Sequence, residues 1–190
     1  MAASRRTSEL PSLYLIALGS NRRHPRHGPP ERVLRAALTA LERESVTIEA
    51  ASPIISSLPL GPSLRRYANS AALVSFAGGP ERLLERLKRI EHQLGRRRGG
   101  RRWGPRVIDI DIVLWQGGAW SSPTLTIPHT AYRERAFVLG PARRIAPQWR
   151  DPLGGLTIAQ LHARLTRPRP LPRDRQRVRA LSSVGRATDF

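Results

Sequence analysis

The segment RWGPRVIDIDIVLW, residues 102–115, carries two signals at once. Val107, Ile108, Ile110, Ile112, Val113 and Leu114 have the β-branched, apolar character of a buried strand, and Gly104 and Pro105 punctuate its start. Asp109 and Asp111 interrupt that run. In a strand, residues i and i+2 share a face. The two acids therefore project together with Val107 and Val113, while Ile108, Ile110, Ile112 and Leu114 face the other way. One face of this strand suits a core. The other presents two carboxylates with Cβ atoms about 7 Å apart, in a chain with 14 acidic and 33 basic residues.

Working outward, the flanking sequence alternates legibly between strand and helix patterns. LYLIALGS (13–20) is an apolar run of strand length ending in Gly19 and Ser20. PPERVLRAALTALER (29–43) is helical, with Val33, Leu34, Ala37, Leu38 and Leu41 on one face and proline at its opening. SVTIEAASPIISS (45–57) is β-rich, and Pro53 marks an edge strand or a bulge. LPLGPSLRRY (58–67) reads as a loop and ANSAALVSFA (68–77) as a further strand. GPERLLERLKRIEHQLG (79–95) is a second helix, opened by Pro80 and closed by Gly95. The loop RRRGGRR (96–102) then leads into VIDIDIVLW (107–115).

Strand-helix-strand thus occurs twice, and both helices open with Pro-Glu-Arg. Two such units with right-handed crossovers predict an α+β, ferredoxin-like βαββαβ fold. It has a four-stranded antiparallel sheet with both helices on one face, followed by a C-terminal extension. The helices should cover the isoleucine face of 107–115, leaving the aspartate face open. TLTIPH (124–129), YRERAFVLGP (132–141) and a short amphipathic LTIAQLHARL (156–165) make up the extension. Residues 1–11 read as a flexible N-terminal segment and 12–166 as the domain. From Arg167 to Phe190 prolines and charges outnumber apolar residues, which reads as a disordered basic tail.

The chain of 190 residues is long enough for one domain with a real core. It lacks cysteine, which excludes disulfides and thiolate metal sites and suits a reducing, cytoplasmic setting. MAASRRTSELPS has no apolar signal-peptide core. No apolar run approaches the roughly 20 residues of a membrane span. The net charge is +19, but Lys88 is the only lysine. Such an arginine-dominated ratio, with abundant Pro, Gly and Ala, is better explained by GC-rich coding than by nucleic-acid binding. A nucleic-acid module on this scaffold would need exposed aromatics to stack bases. The first and third strands offer only Tyr14 and Phe76, and Asp109 and Asp111 would repel a phosphate backbone.

Two interpretations of the acid pair are open at this point. The carboxylates form salt bridges with arginine on a solvated sheet face, or they flank divalent cations. The neighbours bear on the choice. Arg96, Arg98, Arg101, Arg102 and Arg106 lie just upstream, and His129 and Arg135 follow. Carboxylates for Mg²⁺ beside arginines for phosphate are the inventory of phosphoryl-type transfer. No P-loop pattern is present, so a nucleotide would be held another way. Gly19 permits close backbone approach at the end of the first strand. Tyr67, Trp103 and Phe137 sit at loop edges where a heteroaromatic ring could stack, and Asn69 offers a donor-acceptor pair to such a ring.

IALGSN, LPLGPSLRRYAN, RIEHQLGR, RWGPRVIDIDIV and IPH followed by ERAFVLGP, in that order from about residue 12 to 166, resemble the 6-hydroxymethyl-7,8-dihydropterin pyrophosphokinase family. The most specific block is Arg102-Trp103-Gly104-Pro105-Arg106 leading to Asp109 and Asp111. The resemblance implies transfer of the pyrophosphoryl group of ATP to the hydroxymethyl oxygen of the dihydropterin, releasing AMP, in folate biosynthesis. It implies that Asp109 and Asp111 hold two Mg²⁺ ions, and that Arg96 and Arg106 stabilise charge on the transferred group. By the same resemblance Arg98, Arg102, His129 and Arg135 contact the phosphates, and adenine lies near Ile112. Tyr67 and Phe137 would sandwich the pterin, Asn69 would bond its edge, and Leu60 and Trp103 would wall the site. The partners implied are these small molecules, with no membrane, nucleic acid or obligate protein partner. Three features depart from the family pattern. The segment 21–30 is longer and more basic, Ser57-Leu58 stands in place of Thr-Pro, and Thr130 stands where an aromatic residue or proline is expected.

Overall fold

The computed structural model describes residues 10–58, 66–96 and 106–168. The first strand, β1 (Ser12–Ser20), alternates strictly: Tyr14, Ile16 and Leu18 join one core, and Leu15 joins another on the opposite face. A strand buried on both faces must be a continuous apolar run, as LYLIAL is. The helices α1 (Pro30–Arg43) and α2 (Pro80–Gln93) each have proline in the first turn and a glutamate beside it, Glu31 and Glu81. Proline's missing N–H costs nothing there, and the acid favours the positive helix end. Gly95 adopts φ +81 just past α2, the left-handed cap predicted from its position. Val33, Leu34, Ala37 and Leu41 of α1 and Leu83, Leu87 and Ile90 of α2 pack on one face of the sheet. Each fully buried Leu or Ile contributes about 1.5–3 kcal/mol.

The sheet order is β2 (Thr47–Ala51), β4 (Tyr67–Phe76), β1, β5 (Asp109–Trp115), with every pair antiparallel. A fifth strand, β3 (Ile55–Ser57), also pairs with β4. The expected count was four. Segment 45–57 is broken near Pro53 because proline has no N–H for the ladder. The break separates β2 from β3, and β4 receives both.

The second difference concerns the other sheet face. Two short strands, β6 (Trp120–Ser121) and β7 (Thr126–Ile127), pair as an arm beyond β5. A 3₁₀ turn (Tyr132–Glu134) leads into α3 (Ala136–Ile145), and α4 (Ile158–Thr166) follows. Thr157 and Gln160 cap α4 reciprocally. Leu15, Ala71, Val113 and Leu114 form a second core with Tyr132, Val138, Leu139, Ile158 and Leu161. The aspartate-bearing face is therefore covered over half its length and open over the other half. Gly140 and Pro141 inside α3 hid this helix from propensity reasoning. Leu114 also departs from strict alternation, because β5 has a register shift against β1 between the partners of Leu15 and Ile16. That irregularity puts Val113 and Leu114 together in the second core.

Candidate active site

Where the second face is left open, a cleft of about 250 Å³ forms. Its floor is three neighbouring strands: Tyr67 and Asn69 from β4, Ala17 and Gly19 from β1, Asp109 and Asp111 from β5. Cross-strand register explains the grouping. Gly19 lies between Asn69 and Asp109, and Ala17 lies between Ala71 and Asp111. Small residues on the central strand keep the floor low between a polar side and an acidic side. A Cβ on Gly19 would sit 3.4 Å from Asn69 Oδ1, so any larger side chain would intrude on the cleft. Arg135, Phe137 and Val138, from the start of α3, form a wall, and Ser57 and Leu58 form the rim.

The two acids are electrostatically distinct. Asp109 accepts from Arg96 Nη1 at 2.5 Å and from Arg106 Nη1. Burial disfavours its charged form, but Arg96 and Arg106 outweigh burial and hold its pKa below the usual carboxylate range. Asp111 makes no hydrogen bond among the described residues. Its ion-pair contact is His129 Nε2 at 3.8 Å. Burial first, and the Asp109 charge second, raise the Asp111 pKa, against weaker opposition from His129, Lys88 and Arg135. The two acids thus differ: Asp109 is salt-bridged, and Asp111 is an under-compensated carboxylate facing the cleft. Among the described residues no three or more His, Asp or Glu side chains converge as a metal cage.

The arm β6–β7 returns the chain to β5, where His129 N–H donates to Val113 O at 3.1 Å. His129 Nδ1 accepts the Ala131 N–H at 3.2 Å, which leaves Nε2 as the end facing Asp111. Asn69 is buried, and its Nδ2 donates to Ser57 Oγ at 2.8 Å, tying β4 to the rim. Arg135 lies 5.8 Å from the Phe137 ring centroid.

Of the residues picked out by sequence, Asp109, Asp111, Arg106, Arg135, Tyr67, Asn69 and Phe137 line one cleft, and Arg96 and His129 contact its acids. Ile112 does not join them. Its side chain is 2% exposed and belongs to the core under α1 and α2, so only the backbone of the edge strand is available to a ligand there. Leu60, Arg98, Arg102 and Trp103 lie outside the described residues.

Sequence reasoning missed two residues. Glu91 is 1% exposed on α2 and accepts hydrogen bonds from Ile110 N, Lys88 Nζ and Arg96 Nη1. Burial raises its pKa, while Lys88, the Ile110 N–H and Arg96 oppose that rise. An acid four residues after Leu87 and beside Ile90, on the apolar side of a helix, is the signal that could have found it. Asn21, also buried, is bonded to the Arg106 backbone on both sides: Asn21 N donates to Arg106 O at 3.1 Å and Oδ1 accepts Arg106 N–H at 2.7 Å.

Residues 15–147 match the family model described as 7,8-dihydro-6-hydroxymethylpterin-pyrophosphokinase. The 2-amino-4-hydroxy-6-hydroxymethyldihydropteridine pyrophosphokinase of Pseudomonas aeruginosa is 41% identical over 141 residues, covering 73% of this chain and 83% of that one. The enzyme of the same name from Haemophilus influenzae is 40% identical over 133 residues, covering 69% and 79%. That from Bacillus subtilis is 37% identical over 139 residues, covering 72% and 80%. Among solved structures, the Plasmodium falciparum HPPK-DHPS A437G with SDX-DHP superposes with a TM-score of 0.67 at 14% identity. That match covers 84% of this chain and 46% of the longer Plasmodium chain.

Proposed function

Because the chain belongs to the 7,8-dihydro-6-hydroxymethylpterin-pyrophosphokinase family, we propose that its half-open sheet face is where ATP and the hydroxymethyl-dihydropterin react. The reaction transfers the pyrophosphoryl group of ATP to the hydroxymethyl oxygen, in folate biosynthesis. The pterin oxygen attacks the β-phosphorus, the bond from that phosphorus to the α-phosphate oxygen breaks, AMP departs, and the hydroxyl proton is released. One observation supports the location above others. Two carboxylates, two arginines, an amide and two aromatic rings meet over a floor of Ala17 and Gly19.

Asp109 and Asp111 fit Mg²⁺. Magnesium is held by one or two carboxylates and completed by phosphate oxygens, not by an all-protein cage. An acid with a raised pKa and no hydrogen bond among the described residues, facing a cleft, has lone pairs to spare for a cation. We assign both acids to two Mg²⁺ ions, which when bound supply charge neutralisation on the phosphates. Arg96 and Arg106, paired with Asp109 in this structure, would with Mg²⁺ held there be free to bind the oxygens of the transferred group. Arg135 and His129 flank the phosphate path. Arg98 and Arg102 are assigned to the same path from sequence alone. Tyr67 and Phe137 approach from β4 and α3, hold the pterin ring between them, and leave its edge to Asn69. Leu60 and Trp103 complete the wall by the same family reasoning. Phosphoryl-type transfer asks for alignment and charge stabilisation more than for a base.

The strand order and antiparallel pairing support a ferredoxin-like assignment, with β3, α3 and α4 as additions, and a catalytic unit spanning 12–166. No helix among the described residues is long and apolar enough to cross a membrane. Tyr14 and Phe76 are buried, so they offer no platform for stacked bases. Asp109→Ala and Asp111→Ala test the metal assignment. Each is expected to lower Mg²⁺-dependent AMP formation at least ~100-fold while pterin binding, followed by calorimetry, stays within a few-fold. Full turnover in either variant refutes it.

A further inference from the structure

Glu91 touches none of the cleft, yet its bonds converge on Asp109 from two directions. Its Oε1 accepts the backbone N–H of Ile110 at 2.7 Å, the residue next to Asp109 in β5. The same oxygen accepts Arg96 Nη1, which also donates to Asp109 Oδ1 at 2.5 Å. Lys88 Nζ supplies the third contact, at 3.0 and 3.2 Å to the two carboxylate oxygens. A carboxylate 1% exposed and flanked on its helix by Leu87 and Ile90 is costly to keep charged. An amide of the same shape would serve α2–β5 packing alone at lower cost. What only a charged group provides is a fixed anchor for a guanidinium.

We propose that Glu91 is a positioning residue for the transfer: it orients Arg96 at the mouth of the acid pair and locks the strand that aims Asp109. When Asp109 gives up its arginines, the Glu91 bond keeps Arg96 in place with its remaining N–H groups directed toward the incoming phosphate. Arg96 is thereby held on a short tether, and the orientation it needs in the transition state is set beforehand. The inference rests on the role proposed above for Arg96 and Asp109.

The test is a kinetic double-mutant cycle on the full chain, reading AMP formation with ATP, Mg²⁺ and the hydroxymethyl-dihydropterin, beside thermal unfolding of each variant. Glu91→Gln retains an acceptor for the Ile110 N–H and removes the negative charge that anchors Arg96. Its kcat is expected to fall about tenfold or more, with KM for both substrates within threefold. Adding Arg96→Ala to Glu91→Gln is expected to lower kcat little beyond Arg96→Ala alone, because both changes remove one device. Binding of Mg²⁺ with α,β-methylene-ATP, measured by calorimetry, is expected to change less than kcat does. Leu87→Ala controls for loosened packing of α2 without touching the charges around Glu91: its melting temperature falls and its kcat stays within twofold. Should Glu91→Gln not unfold cooperatively, Glu91→Asp carries the same cycle, since it keeps the charge but withdraws it from Arg96. A folded Glu91 variant with kcat within twofold of wild type overturns the proposal, as does a loss that multiplies fully with that of Arg96→Ala. No AMP from the wild-type chain refutes instead the function on which it rests, and full activity of Arg96→Ala refutes the role of Arg96.

Discussion

Asp109 and Asp111 are chemically alike, two positions apart, and pushed in opposite directions. The arginines on Asp109 lower its pKa, and burial beside that charge raises the pKa of Asp111. A carboxyl group whose folded pKa lies above its unfolded value is at a disadvantage once pH rises past both. Asp111→Asn should therefore raise the melting temperature at pH 7 while lowering turnover at least ~100-fold. Thermal unfolding and AMP release on the same preparation check both halves. A destabilised Asp111→Asn would show that Asp111 is a structural acid. Gly19 is the complementary case, where the absent side chain matters. Gly19→Val should raise KM for the pterin about tenfold or more by filling the floor beside Asn69, with kcat less affected. Steady-state kinetics with pterin varied at saturating ATP separates the two.

At the scale of elements, strands and helices were readable where periodicity and punctuation agreed. Leu83, Leu87 and Ile90 announce the buried side of α2, Pro80 its start and Gly95 its end. LYLIAL announces a strand buried on both sides, but it does not say by what. That information lies in α3 and α4, where Gly140 and Pro141 argue locally against a helix and tertiary packing over Leu15, Ala71 and Leu114 prevails. The irregularity in β5 was equally hidden, because VIDIDIVLW alternates only as far as Val113, and no single residue marks the slip. The cleft was half legible. Its residue types could be named from the chain, while its shape depends on helices that propensity did not reveal. Leu139 of α3, fully buried in that second core, gives an element-scale check. Leu139→Ala should cost about 2–5 kcal/mol in chemical denaturation. A loss below 0.5 kcal/mol would mean that α3 does not seal this face.

Across the whole molecule, the C-terminal elements are tied to one another by a further acid. Asp151 is buried and accepts from Arg133 Nε at 2.5 Å and Nη2 at 2.8 Å, joining the 3₁₀ turn to the loop before α4. Burial works against its charge, but Arg133 and the Leu153 and Gly154 N–H groups prevail and bring its pKa down to about 2. The folded value lies below the unfolded one, about 3.9, so the contribution is complete above pH 4 and is lost as pH falls toward 2. Arg133→Ala leaves a buried carboxylate without its partner and should cost about 3 kcal/mol at neutral pH. Calorimetric melting between pH 7 and pH 2.5 should show a shallower acid loss in Arg133→Ala than in wild type. Parallel curves would show that the Arg133–Asp151 pair does not set the acid stability.

This chain moves a two-phosphate unit, not one phosphate, onto a pterin hydroxymethyl group. Phosphorus NMR of a reaction containing the chain, ATP, Mg²⁺ and 6-hydroxymethyl-7,8-dihydropterin reads the products directly. Equal amounts of AMP and a pterin diphosphate are expected, with no ADP. Formation of ADP with a pterin monophosphate, or unchanged ATP from folded protein, contradicts it.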